Sequence, residues 1–512
     1  MDMGFHSILF QRTEDRPAGE PGAPAFFRDL NLDQVVRTIT AGREEYQLDA
    51  LFHSPLGDLD SIAYRQEVMR EFERAEVSGA VRAFAARMRT CRQRLAEAGK
   101  RRDPHQQRRT FLGAVEQYCE GVVRLEEALG ALELSARGMA WFRKYLAAYV
   151  RSPAFTRLVS ETRRVQAGLA SIQYCMHVDG RTVTVRPAEG ETDYGAEVER
   201  TFERFRRGTV KDHRCRFESW PDLNHVEAQV LERVAQLFPE PFQLLAAFAA
   251  EHPGFLDPGV ARFDREVQFY LAWREHLEAL QRAGLPFCYP VLSATSKEVV
   301  GRETFDLALA WRLVRERAPV VRNDFVLRGQ ERILVVTGPN QGGKTTFART
   351  FGQLHFLARL GCPVPGAEVS LFLCDRLFTQ FEKEEDLGAG RGKLRDDLVR
   401  IRRILDEATS NSLVVLNEIF SSTTLDDAVF LSRMVMTRLS RLDLLAVCVT
   451  FLSELATFDE KCVSVVGEVD AVNPVIRTFK LERRPADGLA YALAVAEKHR
   501  VTRARIEERL GP

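Results

Sequence analysis

The chain has 512 residues, of which 45% are hydrophobic and 28% charged, and its formal net charge is zero. This composition is typical of a globular protein, and the length predicts two or three domains. Zero net charge excludes a polycation, so any contact with nucleic acid must come from local basic patches. The nine cysteines form no C-x-x-C pair, which argues against a zinc site or a disulfide framework and favours a reducing cytoplasm. No apolar run approaches the roughly 20 residues that a membrane span requires, and the N-terminus does not resemble a signal peptide.

The first half of the chain has a helical pattern after a polar N-terminal segment. Residues 1–25 are rich in proline, glycine and charge, and we expect a flexible segment there. Residues 26–286 are rich in arginine and glutamate, with apolar residues recurring every three or four positions. This spacing predicts long amphipathic helices.

Two stretches depart from the helical period. Over residues 171–187, two runs of alternating apolar residues flank Asp179 and Gly180, which predicts a small β hairpin. From residue 287 to 512, short apolar runs alternate with helical segments, as in an α/β sheet with crossover helices. The expected fold class is therefore α+β and multidomain, with a helical region, a small β element and a following α/β domain.

The charge is unevenly distributed along the chain. From Arg70 to Arg214 there are 28 lysines and arginines against 19 acidic residues, an excess of nine. Such an excess permits a face that binds phosphates. The alternative is that arginine and glutamate only solvate the exteriors of helices.

A phosphate-binding loop is the strongest motif in the chain. The apolar run Ile333–Val336 is followed by the spacing G-x-x-x-x-G-K-T, at a junction between a predicted strand and a predicted helix. In such loops the backbone N–H groups and the start of the helix surround a phosphate group, Lys344 reaches the β and γ phosphates, and the Thr345 hydroxyl binds Mg²⁺. The predicted nucleotide-binding residues of the loop are Gly338, Pro339, Asn340, Gln341, Gly342, Gly343, Lys344, Thr345 and Thr346.

A second polar position follows the buried strand NSLVVLNEI. In P-loop ATPases an acidic residue at the end of this strand helps to hold Mg²⁺, and a neighbouring acid polarises the attacking water. Glu418 is the candidate general base here, whereas the first position is Asn417. Thr345, Asn417 and Glu418 are the predicted metal site, and the amide of Asn417 predicts weaker coupling to Mg²⁺ with nucleotide binding retained.

Several segments resemble the MutS family. TGPNQGGKTT is similar to its ATPase loop, and SLVVLNEIFSSTTLDDA is similar to its Walker B strand and the segment after it. PVVRNDFVL resembles the strand beside the adenine site, which implies that Asn323 contacts the cofactor. PLGDLDSIAYRQEVMREF and ADGLAYALAVAEKHRVTRARIEERL resemble the opening of the core domain and the closing helical segment, so the resemblance covers about residues 26–510.

The resemblance implies core and lever helices over residues 26–286, with the hairpin as a reduced clamp. It implies an ABC-type P-loop ATPase domain over residues 287–512 that binds ATP and Mg²⁺ and forms a homodimer around nucleotide. The implied partner is DNA. Because core-like sequence begins near Phe26, a mismatch-recognition domain has no room before it, so we expect a short form of the family.

Three family positions concerned with hydrolysis differ in this chain. The signature-loop serine, which reaches the γ phosphate of the other subunit, aligns with Gly392, and the histidine sensor after the next strand aligns with Phe451. Asn417 is the third difference. Arg391 or Lys393 supplies a trans-acting cation in the signature loop, or both only line a polar loop. These changes predict slow hydrolysis, with nucleotide binding retained.

Two functions remain open from the sequence. The first is a MutS-like clamp, gated by ATP, that binds mismatched, branched or otherwise structured DNA. We expect this protein to be cytoplasmic and not to bind membranes. The second is a nucleotide-gated scaffold for a protein or ribosomal RNA partner outside mismatch repair. A protein that binds ATP without hydrolysing it differs from both only in turnover.

Overall fold

The computed structural model describes residues 5–15, 22–180, 182–188, 190, 194–203, 223–381, 393–469, 477–486 and 501–510. Contacts divide the chain into two compact units. The helical unit comprises Met1–Phe5, Ala75–Leu134 and Trp141–Asp264, and the sheet unit comprises His6–Arg74, Ser135–Ala140 and Arg265–Pro512. These groupings do not follow the expected boundary at residue 286, because residues 6–74 pack with the sheets rather than with the helices that follow them.

The elements up to residue 282 are helical apart from one hairpin. The first three helices are α1 (Leu32–Thr40), α2 (Asp49–Phe52) and α3 (Leu59–Glu71). The next four are α4 (Ala75–Ala98), α5 (Pro104–Gly130), α6 (Arg137–Val150) and α7 (Pro153–Ala170). Strands β1 (Tyr174–Asp179) and β2 (Thr182–Pro187) follow, and then α8 (Tyr194–Glu203), α9 (His225–Leu237), α10 (Pro239–Glu251) and α11 (Pro258–Arg282).

The later elements form the sheets and their connecting helices. They begin with β3 (Phe287–Cys288), β4 (Val291–Ser293), β5 (Val299–Thr304), α12 (Leu307–Arg315), β6 (Asn323–Leu327), β7 (Ile333–Thr337) and α13 (Lys344–Arg359). They continue with β8 (Val364–Pro365), β9 (Glu368–Phe372), β10 (Leu377–Phe381), α14 (Lys393–Glu407), β11 (Leu413–Asn417) and α15 (Leu425–Leu442). The last are β12 (Leu445–Val449), β13 (Cys462–Val469), β14 (Arg477–Arg483) and a final helix, α16 (Arg503–Leu510).

The long helices of the helical unit begin at capping residues. The Asp103 side chain accepts a hydrogen bond from the Gln106 N–H at the start of α5, and Ser152 caps α7 in the same way. Proline occupies the first turn of both helices, where no backbone donor is lost. The polar segments that interrupt the helical pattern therefore contain the residues that start these two helices.

The β hairpin is confirmed. Strands β1 and β2 pair antiparallel, with Val178 opposite Val183, and Gly180 in the turn has a φ of 58°. Gly180, directly after Asp179, supplies the left-handed backbone conformation that such turns require. Tyr174, Met176 and Val178 on alternate positions of β1 are exposed.

The N-terminal segment differs from the expected flexible segment in residues 5–10. Ile8, Leu9 and Phe10 are fully buried in the sheet unit. The carboxylate of Glu266 in α11 accepts hydrogen bonds from the Ser7 hydroxyl at 2.9 Å and from the Ile8 N–H at 2.8 Å. This apolar run is too short for its spacing to predict a helix or a strand. Its burial also involves Glu266, which is more than 250 residues away in sequence, so the local sequence does not predict it.

A six-stranded sheet forms the centre of the sheet unit, with the order β10-β11-β12-β7-β13-β14. All neighbours are parallel except β14, which pairs antiparallel with β13 at the edge. β7, β11 and β12 are buried along their whole length. Such unbroken apolar strands are typical of parallel sheets covered on both faces, and the predicted strands at these positions are confirmed.

A smaller sheet and helix α13 complete the part that carries the phosphate-binding loop. The second sheet has the order β4-β9-β5-β6, and β3 pairs with β8. Within α13, the buried Gln353 amide donates to the Leu30 carbonyl at 2.8 Å and accepts from the Leu307 N–H at 2.9 Å. α13 is thereby fixed to the start of α12 and to the loop before α1. In the described part of the chain, no helix is long and apolar enough to cross a membrane.

Candidate nucleotide-binding site

A cavity of about 860 Å³ opens where β7 ends and α13 begins. The carboxyl ends of parallel strands are the usual place for a ligand in an open α/β sheet, because the polar ends of strands and the starts of helices meet there. One wall of the cavity consists of Asn340, Gln341, Gly342, Gly343, Lys344, Thr345 and Thr346. The opposite wall consists mainly of residues from α12 and from the segment before β6, namely Leu309, Arg312, Leu313, Ala318, Pro319, Val320 and Val321.

The loop backbone has the conformation of an anion-binding nest. Gly338, Gln341 and Gly343 have φ angles of 124°, 59° and 92°. A Cβ atom at Gly338 would lie 2.8 Å from the backbone nitrogen of Gly467 in β13, so only glycine fits there. Turns that combine left-handed and right-handed residues direct neighbouring N–H groups into one concavity, and α13 adds the positive end of its dipole.

Lys344 lies inside this concavity and is buried. Its Nζ donates to the carbonyl oxygens of Gly338 and Pro339, both at 3.0 Å, and to the Asn340 side chain at 3.3 Å. Burial lowers the pKa of Lys344, and the Glu418 carboxylate, 3.7 Å from Nζ, opposes that effect. An incoming phosphate group would replace these acceptors and stabilise the charged form of the amine.

The predicted metal-binding residues lie together at the floor of the site. The Thr345 hydroxyl donates to Oδ1 of Asn417 at 2.9 Å. Glu418 lines the cavity one residue further on. Hydroxyl, amide and carboxylate oxygens form the donor set that Mg²⁺ prefers, so the residues present fit this ion.

The backbone after β11 is in an uncommon conformation. Glu418 has a φ of 52° and Phe420 a φ of 61°. Left-handed conformations are unfavourable for such side chains and tend to persist at functional sites, where the surrounding structure imposes them. The Glu418 N–H donates to the Val449 carbonyl at 2.9 Å, which holds the carboxylate at the edge of the sheet.

Asn323 lies at the other end of the cavity, but its amide also has a structural role. Its Nδ2 donates to the Phe479 carbonyl at 3.0 Å, and its Oδ1 accepts from the Leu481 N–H at 2.9 Å. The side chain thus connects β6 to β14. Phe479, held in this contact, has a φ of 58° and lines the cavity.

The structure brings most of the predicted site residues together. Gly338, Pro339 and Asn417 contribute oxygen atoms that position Lys344 and Thr345 without lining the cavity themselves. Arg391 and Gly392 of the predicted signature loop lie outside the described residues, and Lys393 is the first residue of α14. Phe451, at the position of the family's sensor histidine, is exposed.

Some cavity residues were not predicted from the sequence. Asp306, Arg312 and Phe479 reach the cavity from elements that lie before and after the loop in sequence. Burial raises the pKa of Asp306, although its carboxylate accepts a hydrogen bond from the Leu309 N–H. Asp306 precedes an amphipathic helix as its capping residue, so the sequence could have predicted its place at the start of α12. Nothing in the sequence near Phe479 indicates that it lines a cavity.

A second cluster of potential metal ligands lies in the helical unit. Glu161, Glu251 and His252 have ligand atoms within 4.8 Å of one another. Arg157 forms ion pairs with both carboxylates, at 2.8 Å and 2.9 Å. The guanidinium group therefore already supplies the positive charge that these acids would offer to a metal ion.

Comparison with known proteins agrees with this geometry. Residues 334–507 match the family described as MutS domain V. Over 292 residues the chain is 29% identical to a DNA mismatch repair protein MutS of Chlorobium phaeovibrioides, which is 54% of this chain and 32% of that protein. The part of the chain that carries the nucleotide-binding cavity is therefore similar to the MutS family.

The family match covers the phosphate-binding part of the site. The MutS domain V range begins at the second residue of β7 and includes Lys344, Asn417, Glu418 and Phe479. The α12 wall of the cavity lies before that range. The chain spans about a third of the length of the MutS relative, so the relative's activity and partners are taken up below as proposals.

Proposed function

We propose that the sheet unit binds ATP with Mg²⁺ in the cavity beside α13 and hydrolyses it slowly. The observation that carries this proposal is the short contact between Thr345 and Asn417 beside an intact phosphate-binding nest. The residues for binding phosphate are all present. The position that would supply a second carboxylate for the metal carries an amide.

Each residue has a separate role in this proposal. The nest and Lys344 bind the β and γ phosphates, while Thr345 and Asn417 orient the metal ion and Glu418 positions and polarises the attacking water. Mg²⁺, when bound, offsets the negative charge of the phosphate oxygens. A neutral amide in place of a carboxylate near the ion removes at most about 4 kcal/mol of attraction at an effective dielectric constant near 20. Slow hydrolysis with good binding follows from that difference.

The whole-chain function that we propose is an ATP-gated clamp on mismatched, branched or otherwise structured duplex DNA. Its support is the match of residues 334–507 to MutS domain V and the name of the relative, a DNA mismatch repair protein. The excess of arginine between Arg70 and Arg214 supports contacts with phosphate groups. In this proposal two chains dimerise through their ATPase domains when ATP is bound.

The nucleotide part of the proposal is tested by binding and single-turnover hydrolysis. We expect the wild-type protein to bind ATP and to hydrolyse it more slowly than about 1 s⁻¹, the low end for ordinary enzymes. Lys344→Ala should weaken nucleotide binding, because the buried amine is the main positive charge in the nest. Glu418→Ala should keep ATP bound and abolish hydrolysis.

Two exposed residues give matched controls. Lys144→Ala and Glu454→Ala remove the same charges from exposed sites that do not line the cavity, and both should behave as wild type. A Glu418→Ala protein that hydrolyses ATP at the wild-type rate would show that another group polarises the water. Turnover as fast as about 1 s⁻¹ or above in wild type would contradict the slow-ATPase proposal.

The DNA part is tested separately. Binding is measured for mismatched, junction and fully paired DNA, with structured RNA alongside, in ADP, ATP and a non-hydrolysable ATP analogue. The proposal expects nucleotide-dependent preference for mismatched or junction DNA and dimers with the ATP analogue. Stronger binding to RNA than to every DNA would instead favour the nucleotide-gated scaffold. A monomer under every condition would rule out a site completed by a second subunit.

A further inference from the structure

A second cavity, of about 470 Å³, lies on the other side of α12 from the nucleotide site. Helical spacing explains how one short helix serves both. Leu309 and Leu313, four residues apart, face the nucleotide cavity, whereas Ala308, Trp311 and Arg315 face the second one. The volume lies within the range of sites that hold small molecules.

His276 of α11 forms part of the wall of this second cavity and is 5% exposed. Neither of its ring nitrogens has a hydrogen-bond partner among the described residues. Burial lowers the pKa of His276 to about 4, so the neutral ring offers one donor and one acceptor near neutral pH. A buried polar group without a partner is unfavourable, and a ligand that supplies a donor or an acceptor would relieve this cost.

The wall around His276 is aromatic. Its ring stacks on Trp311, with ring centroids 4.5 Å apart and an interplanar angle of 29°. The ring lines the cavity with both nitrogens buried in the wall, so a contact between a ligand and either nitrogen requires the imidazole to rotate. Such a rotation would change the stack and with it the environment of the Trp311 indole.

The open edge of the cavity is basic. Arg312 and Arg315 in the last turn of α12 line it together with Glu316. Within the ranges that the structure describes, neither arginine forms an ion pair. Gln34 and Thr38 of α1 add polar groups on the facing side. Two arginines against one glutamate favour an anionic ligand.

We propose that the cavity between α1, α11 and α12 binds a small anionic molecule with a planar hydrogen-bonding group, in which Arg315 contacts the anion and His276 the planar group. Two sources share this chemistry, nucleoside monophosphates and heteroaromatic carboxylates. The planar group packs beside Trp311, and the anion lies at the open edge. The binding itself does not depend on the function proposed for the nucleotide site.

Occupation of this cavity also changes nucleotide affinity, and this part rests on the proposed function. Arg312 lines both cavities. The start of α12 is fixed to α13 through Gln353, so α12 has little freedom to move at that end. A ligand that shifts the last turn of α12 therefore alters the wall of the nucleotide cavity. Coupling between two sites is reciprocal and typically amounts to about fivefold or more in affinity.

The experiment uses the full chain with ADP at saturation, so that the nucleotide cavity is occupied. Adenosine monophosphate and nicotinate are the two probes, and inorganic phosphate is the control for a bare anion. Binding is measured by equilibrium dialysis and by tryptophan fluorescence. We expect saturable binding of one probe at one site, and the probe that binds identifies the source of the ligand.

Two variants test the assigned contacts. Arg315→Ser removes the cation at the edge, and His276→Phe keeps an aromatic ring but removes both nitrogens. Each should weaken probe binding about tenfold or more, since hydrogen bonds to charged groups and at buried sites contribute about 1.5–3 kcal/mol. Arg282→Ser, an exposed position on α11 outside the cavity, should bind the probe as wild type does.

The variants should remain folded. His276→Phe removes two unpaired buried nitrogens, so its thermal midpoint should equal or exceed that of wild type, and its ADP affinity should be retained. Failure of both probes to bind at millimolar concentrations, or equal binding by wild type and both variants, would overturn the site. Unchanged ADP affinity at saturating probe would overturn the coupling.

If the protein does not bind ADP at all, the nucleotide proposal has failed, and the same dialysis without ADP still decides on the second site. Loss of probe binding in Arg315→Ser and His276→Phe would then support the second cavity alone.

Discussion

Asn417 ends β11 with its amide oxygen bonded to the Thr345 hydroxyl at 2.9 Å. Oδ1 accepts this bond, and the other polar atom of the Asn417 amide, Nδ2, is a donor that cannot bind a cation. Asn417→Asp replaces that donor with a second carboxylate oxygen. We expect Mg²⁺ to be needed at about tenfold lower concentration and single-turnover hydrolysis to rise by a similar factor, well within the upper bound set by one unit charge.

Asn411→Asp is the matched control for this prediction. It makes the same substitution at an exposed residue that precedes the other end of β11. Its hydrolysis rate and Mg²⁺ requirement should equal those of wild type. An Asn417→Asp protein with an unchanged Mg²⁺ requirement would mean that the metal is held without help from this strand.

Asp443 is the centre of a charge cluster at the turn between α15 and β12. Its carboxylate lies 2.8 Å from Nζ of Lys461, 3.2 Å from Nζ of Lys297 and 3.2 Å from Nε of Arg332. Partial burial would raise the pKa of Asp443, but the hydrogen bonds from Lys461 and Lys297 outweigh it and lower the pKa to about 2. The residue also ends α15 with a φ of 56°, a conformation that asparagine tolerates.

Asp443→Asn therefore removes the charge with little change in backbone preference. The side chain is 35% exposed, so solvent screening reduces the loss to about 1 kcal/mol near neutral pH. A lowered pKa stabilises the fold above the unfolded value of about 3.9, and this contribution is lost as the pH falls towards 2. Urea unfolding of both proteins should show the difference shrinking below about pH 4. A difference that stays constant with pH would assign the effect to geometry.

The sequence predicts individual site residues where they belong to a local motif. Lys344 and Thr345 begin the helix after the loop that follows β7, and Glu418 directly follows β11, so their spacing alone places them at one edge of the sheet. Phe479 reaches the same cavity only because the Asn323 amide bonds β14 to β6. Contacts of this kind join residues that are far apart in sequence, and no local period encodes them.

At the scale of elements, Arg65 of α3 joins the N-terminal segment to the end of α13. The side chain is fully buried, with Nε 3.2 Å from the Leu9 carbonyl and Nη1 3.1 Å from the Leu360 carbonyl. The guanidinium group also lies over the Phe10 and Phe269 rings. Burial lowers the pKa of Arg65, so these contacts compensate the desolvation of its charge.

Arg65→Met should lower the free energy of unfolding by about 2 kcal/mol, because two buried carbonyl groups lose their donor while the apolar volume is largely kept. Urea unfolding measures the loss. Arg37→Met on α1 is the control, since that arginine is exposed and forms one surface ion pair. Equal stabilities of the two variants would contradict a structural role for Arg65.

The sequence predicts long helices and strands with a regular apolar pattern better than it predicts short ones. The buried strands β7, β11 and β12 and the hairpin β1–β2 have clear patterns, and the structure contains them. The two- and three-residue strands β3, β4 and β8 are too short to have a period. The packing of residues 6–74 into the sheet unit depends on side chains such as Gln353 and Arg65, whose partners no local pattern identifies.

At the scale of the whole molecule, the proposed DNA binding must use part of the surface, because the formal net charge of the chain is zero. Several arginines of α4 pair with acids of α5 within the helical unit, including Arg87 with Glu120 and Arg94 with Glu116. Those two acids are already subtracted in the excess of nine, but Asp264 and Glu251, which lie outside the counted range, also pair with Arg92 and Arg157. The charge available to phosphates is therefore smaller than the excess counted from the sequence. For some of the arginines, the alternative that they only solvate the exteriors of helices therefore applies.

We expect the affinity for junction DNA to fall about a hundredfold or more between about 50 and 200 mM salt, because contacts to phosphate groups release counterions. Titration of labelled junction DNA at several salt concentrations measures the slope. A change smaller than about twofold would contradict binding through phosphate contacts. The nucleotide affinity, measured in parallel, should depend less on salt because Lys344 is buried.

The position of β7 in the sheet has a consequence for how the protein registers nucleotide. β7 is hydrogen-bonded to β12 on one side and to β13 on the other, so the base of the phosphate-binding loop opens to solvent only when the sheet itself unfolds. Its amide hydrogens, such as that of Val335, should be among the last in the sheet unit to exchange. β14 is at the sheet edge and bears Phe479 against the cavity, so its amides should exchange early and slow down when nucleotide is bound. The rate of hydrogen exchange would thus distinguish β7, which stays rigid whether or not nucleotide is bound, from β14, which becomes more protected when nucleotide binds.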